Sequence, residues 1–146
     1  MSNFNSLSYY WPELILTVTI LVAVIADLCY RREQSVNVAW WVLGGLALTL
    51  FAVRMGGSSV SPLFMGMVAS DPFSDFFKVL IILSTALVIL MSFNSNELKD
   101  YRVGEYFSIL SILSFGLFLM VSAIDILMVY LAIEIVSIMS FFLAGY

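Results

Sequence analysis

Histidine is absent from this sequence of 146 residues, and cysteine occurs once, at Cys29. Metal sites built from cysteine and histidine, disulfide frameworks, and nucleophiles activated by histidine all need residues that this composition does not supply. A glycine-rich loop that could hold a phosphate group is missing as well. The sequence therefore excludes most of the chemistry by which soluble enzymes act.

Charged residues are also scarce, at 11% of the chain, whereas hydrophobic residues make up 62% and the mean hydropathy is +1.07. A soluble domain of this length would cover its core with charge, so this balance indicates an integral membrane protein. The net charge of −4 says little about partners, and six scattered Lys and Arg residues do not indicate nucleic-acid binding.

Long apolar runs define five predicted membrane spans. A helix needs about 20 apolar residues to cross a hydrocarbon core about 30 Å thick, and lipid offers no water to the backbone, so each span should be helical. The second and fourth runs are short for a full span. The predicted fold is an all-α polytopic membrane protein, one transmembrane region over residues 1–146 with helices at approximately 11–30, 38–54, 72–92, 106–122 and 124–146.

Residues at the ends of three runs are typical of helix starts. Pro12 and Glu13 open the first span, Asp71 precedes the third, and Asp125 lies near the start of the fifth. Proline lacks the N–H that a first helical turn leaves unpaired, and the helix dipole favours a carboxylate there. These residues support the predicted starts.

Two of the connections differ in character. The segment 55–71 is rich in glycine and serine, which predicts a loop or a short re-entrant segment. The fourth and fifth spans are connected by only about two residues, Ala123 and Ile124 at the edge of the fifth span, which predicts a tight antiparallel pair of helices.

Basic residues set the expected orientation, because short loops that carry them favour the cytoplasmic side. They predict an N-terminus that faces outward. A signal peptide has basic residues before its apolar run, and no Lys or Arg precedes the first span here, so we expect that span to be retained. Arg54 and Lys78 flank the second loop, where we expect their side chains to extend to the outer membrane surface. The residues predicted on the cytoplasmic side are Arg31, Arg32, Lys99 and Arg102.

One acidic residue, Glu134, lies in the middle of a predicted span, near the membrane midplane. A charge at the bilayer centre costs about 2.5–3.5 kcal/mol on insertion scales. The other charged residues lie in loops or within about two turns of a helix end. Intramembrane acids are by default functional candidates, so Glu134 is one. The alternative is a protonated acid that only hydrogen-bonds across a helix interface.

Hydroxyl groups flank this acid. Tyr130 and Ser137 lie about one turn on either side of Glu134 on the same face of a helix, and Phe141 follows on that face. Tyr130 and Ser137 are therefore candidates for support of a proton path. Asp125 falls on the opposite face, so it is not the second member of a carboxylate pair.

Small and aromatic residues mark two further faces. Ser108, Ser111 and Ser114 recur on one face of the fourth span, a pattern typical of close helix packing, with a proton-path role as the alternative. Trp40 and Trp41 indicate an interfacial belt or a contact with lipid.

Four stretches of this sequence, in their order and spacing, resemble the amino-terminal part of subunit N, an antiporter-like subunit of NADH-quinone oxidoreductase (respiratory complex I). The resemblance covers the chain from about residue 8 to its end. The stretches are WPEL at 11–14 with Asp27; FMG at 64–66 with DPFSDFFK at 71–78; GEYF at 104–107; and SAIDIL at 122–127 leading to AIEI at 132–135 with Ser137.

The resemblance implies a proton-translocating subunit of the membrane arm, built from two inverted five-helix repeats. In that family the glutamate of the fifth helix pairs with a lysine on a later, broken helix, and Glu134 takes the glutamate's place here. Further lysines continue the charged axis in the family, but this sequence has only Lys78 and Lys99, both expected near the surface. Related Mrp antiporter subunits commonly have proline soon after the glutamate, where this chain has Ser137 and Ile138.

The family's cofactors and partners are expectations of the same kind. The resemblance implies no cofactor in this chain, with NADH, FMN, iron–sulfur clusters and quinone bound by other subunits of the complex. The implied partners are the other membrane-arm subunits, the remainder of the chain's own subunit and the lipid of a bacterial plasma membrane or an organellar inner membrane. We expect a fragment, a split-gene product or an incomplete chain of a longer subunit. The alternatives are a subunit of an Mrp-type cation/proton antiporter and a non-conducting structural module.

Overall fold

The computed structural model describes residues 10–30, 36–56, 59–63, 66–93 and 103–146. In this part of the chain, five helices and a two-stranded sheet follow one another. The helices are α1 (Trp11–Cys29), α2 (Asn37–Met55), α3 (Pro72–Ser92), α4 (Val103–Ser122) and α5 (Ile126–Ala144), and the strands, between α2 and α3, are β1 (Ser59–Leu63) and β2 (Val68–Ser70).

All five helices are long and apolar enough to cross a membrane, so the predicted all-α polytopic fold is confirmed. Helices α2 and α4, whose apolar runs are short, extend to 19 and 20 residues. Arg54 lies in the last turn of α2 and Glu105 in the first turn of α4. The helix dipole favours a cation at a C-terminal end and an anion at an N-terminal end. Arg54 also ends the predicted range 38–54, whereas Glu105 belongs to a helix that begins at Val103, three residues before its predicted start.

Helix α4 lies at the centre of the bundle, where it packs against α1, α2, α3 and α5. Helices α1 and α3 each pack on α2 and α4, whereas α5 packs chiefly on α4. The first four helices therefore enclose the core. Its fully or almost fully buried apolar side chains include Leu16, Val42, Leu46, Ile82, Ile89, Phe107 and Phe118.

Between α2 and α3 the chain forms an antiparallel hairpin in place of the predicted loop or re-entrant segment. Ser59 pairs with Ser70 and Leu63 with Val68. Gly66 in the turn has φ 94°, a left-handed conformation that favours glycine. The composition of this segment does not predict the strands, because the hydrogen bonds that join them are made by backbone groups and not by side chains.

The hairpin contacts the connection between α4 and α5. The N–H of Ile124 donates to the carbonyl oxygen of Met67 at 2.9 Å, and Val68 forms an isolated β-bridge with Ala123. We call this side of the bundle the hairpin end: α1, α3 and α5 begin there, and α2 and α4 end there. The opposite side is the far end.

The start of α3 is capped as its sequence predicts. The N–H of Ser74 donates to Asp71 Oδ1 at 2.9 Å, and the N–H of Asp71 donates to Ser74 Oγ at 3.1 Å. These bonds hold the pKa of the Asp71 carboxyl below its ordinary value, mainly through the Ser74 N–H. Asp125 occupies the corresponding position before α5, but its side chain makes no capping bond. The basic residues Arg31, Arg32, Lys99 and Arg102 lie outside the described residues, so the orientation in the membrane stays a prediction.

Candidate functional site

Glu134 lies in the middle of α5, on a helix that the rest of the bundle barely covers. Of the residues of α5, all of them described, Ala132 alone is buried. Glu134 itself is exposed, and within the described part of the chain no hydrogen bond or ion pair reaches its carboxylate. The acid therefore points out of the bundle.

Packing of α5 on α4 explains this outward direction. A methyl group at Gly116 of α4 would lie 2.9 Å from side-chain carbons of both Ile135 and Val136. Glycine at this position lets the two helices approach closely, and the turn of α5 that carries Ile135 and Val136 faces α4. Glu134 is exposed beside this contact and is available to whatever lies next to the helix.

The two predicted supporting hydroxyls are not brought to the acid. Tyr130 is 62% exposed, and Ser137 is half-buried. The bond described for Ser137 uses its backbone carbonyl, which accepts from Ser140 Oγ at 2.8 Å. Among the described contacts, neither Tyr130 nor Ser137 hydrogen-bonds to Glu134, so any link would need water or another helix.

A second acid, Glu13, has a partner inside the bundle that the sequence interpretation misses. Glu13 Oε1 lies 2.6 Å from Lys78 Nζ, and the two side chains are 1% and 2% exposed. The expectation that Lys78 extends to the membrane surface is therefore wrong. Lys78 shares the buried face of α3 with Ile82 and Thr85, which directs its stem inward.

Other polar groups surround this ion pair at the hairpin end. Asp75, one turn before Lys78 on α3, interacts electrostatically with both Lys78 and Glu13. The Lys78 charge also acts on Asp71. Burial raises the pKa of the Tyr10 phenol, and the Glu13 carboxylate raises it further. The hairpin end thus has a polar centre that hydropathy does not reveal.

The hydroxyls in the core fit the packing interpretation of the serine face. Thr85 Oγ1 lies 2.8 Å from Ser114 Oγ, across the contact between α3 and α4. Both hydroxyls also lie within hydrogen-bond distance of carbonyls in their own helices, and Ser111 Oγ likewise donates to Phe107 O at 2.8 Å. These serines and threonine therefore connect helices and their own backbones.

Polar side chains also join helices at the far end of the bundle. A methyl group at Gly104 of α4 would overlap with Asp27 Oδ1 of α1, so glycine lets this buried carboxylate approach the helix. The hydroxyl of Tyr146 donates to Glu105 Oε2 at 2.8 Å. Burial and this bond raise the pKa of the Tyr146 phenol.

The paired tryptophans lie on the outer surface of the bundle, as their predicted role in an interfacial belt or lipid contact requires. Trp40 and Trp41 are 65% and 54% exposed. Trp41 Nε1 donates to the hydroxyl of Tyr30 at 3.3 Å. Both rings line an open apolar groove between α1 and α2 with Trp11 at its other end.

Comparison with known proteins finds relatives along the whole chain, although no family model matches it. NADH-quinone oxidoreductase subunit N of Anaeromyxobacter sp. (strain Fw109-5) is 38% identical over 149 residues, which cover 99% of this chain and 28% of the relative. NADH-quinone oxidoreductase subunit N 2 of Koribacter versatilis is 36% identical over 99% of this chain and 32% of its own length. NAD(P)H-quinone oxidoreductase subunit 2 of Gloeobacter violaceus is 32% identical over 93% of this chain and 27% of its own length. The chain spans a little over a quarter of the length of the first of these relatives.

Proposed function

Since this chain is homologous over nearly its whole length to the subunit N family of NADH-quinone oxidoreductase, we propose that it is part of a membrane-arm subunit of such a complex. In this proposal the complex is the proton-translocating complex I of a respiratory chain, and Glu134 takes part in proton translocation. The names of the relatives support the assignment to an oxidoreductase over that to an Mrp-type antiporter.

The position of Glu134 carries the proposed role. An acid in the middle of an apolar span is costly to place in the membrane, and such residues are by default functional candidates. Glu134 is exposed on a helix that has one buried residue. A cationic side chain from the remainder of the subunit, or from a neighbouring one, can reach it there. Tyr130 and Ser137 would then support a proton path through water beside the acid.

The remaining chemistry is assigned to other subunits. We propose that NADH, FMN, iron–sulfur clusters and quinone bind elsewhere in the complex, and that this chain carries out no redox or covalent step. Its partners would be the other membrane-arm subunits, the rest of its own subunit and lipid. The relatives named above are bacterial, which supports a bacterial plasma membrane over the inner membrane of an organelle.

Glu134→Gln tests the role of the acid. Glutamine keeps the size and hydrogen bonding of the side chain but cannot ionise, so we expect near-normal assembly with reduced proton pumping and slowed quinone reduction. The measurements are the amount of assembled complex, NADH-driven quinone reduction and proton uptake in membrane vesicles. Co-isolation of NADH-quinone activity with an affinity tag on this chain first tests membership of the complex.

Two further variants complete the comparison. Glu134→Asp keeps the charge and displaces it by about one methylene, so a proton carrier should tolerate Asp better than Gln, and a packing residue should tolerate Gln better. Asp125→Asn is the control, because that carboxylate precedes the same helix and makes no capping bond. Full pumping in Glu134→Gln would remove the proton-carrier role and leave a structural module as the function.

A further inference from the structure

The Glu13–Lys78 ion pair lies inside the bundle, away from the outward face that carries Glu134. Helices α1 and α3 each pack on α2 and α4, and the pair joins α1 to α3 at the hairpin end. Both side chains are almost completely buried. Buried ion pairs are weak evidence for stability, whereas ionisable groups within membrane spans usually mark a functional site.

The ion pair and Asp75 together carry one more negative charge than positive charge. Lys78 carries one positive charge, and two carboxylates, Glu13 and Asp75, interact with it. One proton would make this group of three side chains neutral. Asp71 and the phenol of Tyr10 also act on members of the group. Arg54, in the last turn of α2, is a second cation at this end and lines a cavity together with Asp75. Helix α4 places no ionisable side chain at this end, since its acidic residue, Glu105, lies in its first turn at the far end.

Glu13 has an oxygen in position to receive that proton. Its Oε1 contacts Lys78 Nζ, but Oε2 is buried and has no hydrogen-bond partner within the described part of the chain. A buried carboxylate that stays permanently ionised normally has further donors on its remaining lone pairs. The described residues provide one donor, the Lys78 ammonium.

A route from the hairpin end approaches the same turn of α3. A cavity of about 430 Å³ opens between the end of α2 and the start of α3. Arg54 and Asp75 are its charged lining residues, and Val79, the neighbour of Lys78, also lines it. The opening thus brings the aqueous phase to Asp75 and to the neighbour of Lys78, although neither Glu13 nor Lys78 lines it.

We propose that Glu13 and Lys78 form a proton-binding site of this chain, separate from Glu134 and reached from the hairpin end. A proton from the aqueous phase adds to Glu13 Oε2 and converts the carboxylate into a neutral carboxylic acid. Lys78 keeps its own proton and retains Asp75 as counter-charge. The site goes beyond the function proposed above, and its test needs neither quinone nor electron transfer.

Infrared spectroscopy of the full chain in lipid nanodiscs tests the site directly. Isotopic labelling of glutamate carboxyls separates their protonated C=O band from that of Asp75. On acidification from neutral pH, we expect a glutamate band that is lost in Glu13→Gln and retained in Glu134→Gln. Circular dichroism of each sample identifies the pH range in which the helices are intact.

Two neighbouring variants should move this band in opposite directions. In Lys78→Met the counter-charge is gone, so the Glu13 band should be present already at neutral pH. In Asp75→Asn one negative charge is gone, so Lys78 holds the Glu13 carboxylate more firmly and the band should need a lower pH. If Glu13→Gln does not fold, these two shifts still identify the site.

A permanent structural ion pair gives a different result. The labelled chain would then show no glutamate band that depends on Glu13, Lys78 or Asp75 at any pH at which its helices persist, and this outcome would overturn the proposal. Loss of pumping in Glu134→Gln has no bearing on it, so the two proposals fail separately.

Discussion

Glu13 and Glu134 are both carboxylates within membrane-spanning helices, yet their surroundings differ. Glu13 is 1% exposed, lies in the first turn of α1 and contacts Lys78 of the same chain. Glu134 is exposed in the middle of α5 and has no ionic partner among the described residues. The acid nearer the helix end thus has a cationic partner within its own bundle, whereas the acid at greater depth has none among the described residues.

The helices that carry the two acids differ in the same way. Helices α1 to α4 enclose a core that includes Leu16, Val42 and Phe107. Helix α5 contributes one buried residue, Ala132. The first four helices are therefore a packed unit, and α5 is an outer helix that contacts this unit along one side.

The largest expected difference between the two acids concerns the loss of a partner. Lys78→Met should lower the free energy of unfolding by about 3–5 kcal/mol near neutral pH, because without its cation the buried Glu13 must stay an unpaired carboxylate or bind a proton at a pH where the unfolded chain releases it. The matched change Glu134→Gln should stay within about 0.5 kcal/mol, as for an exposed position. Unfolding in mixed micelles, followed by circular dichroism, measures both. The Lys78→Met loss should shrink as the pH is lowered, since the unfolded chain then also binds a proton at Glu13. Equal losses in the two variants would mean that the contrast between the regions is wrong.

Adjacent glycines on α2 sharpen the contrast between a packed face and an open one. A methyl group at Gly45 would overlap with the Thr19 side chain of α1, whereas one at Gly44 would have nothing within 4 Å. Gly45→Ala should therefore cost about 1–3 kcal/mol through overpacking. Gly44→Ala is the control and should be neutral. Fluorescence of Trp40 and Trp41 during unfolding reports on this helix pair, and a neutral Gly45→Ala would contradict the packing of α1 on α2.

A smaller effect is expected at the helix starts. Asp71→Ala removes the capping bond from the Ser74 N–H and should cost about 1 kcal/mol at neutral pH. The folded state lowers the pKa of Asp71, so this stability is present above the ordinary pKa of an aspartate and is lost as the pH falls through the lower folded value. The wild type and the variant should therefore converge in acid. Asp125→Ala, at a position without a capping bond, should cost little at any pH, and a loss as large as that of Asp71→Ala would show that the two starts are equivalent.

The helices could be predicted from the sequence because membrane crossing depends on the length and hydropathy of a run, and both are visible in the residues. The same reasoning places Glu134 at depth, but hydropathy along one helix carries no information about which group a side chain faces. The buried Lys78 was predicted incorrectly, since distance from a helix end says nothing about which face a side chain occupies. A signal for it exists in the spacing of Lys78, Ile82 and Thr85, which recur on one buried face.

Helix α5 is held at three heights. Before the helix starts, the N–H of Ile124 donates to Met67 O. Its middle packs against Gly116 of α4. After its end, the hydroxyl of Tyr146 donates to Glu105 Oε2. Three attachments on one side leave the helix little freedom to rotate about its own axis. The orientation of Glu134 is then fixed by contacts within this chain. A cation that pairs with it would approach a carboxylate whose direction is already determined.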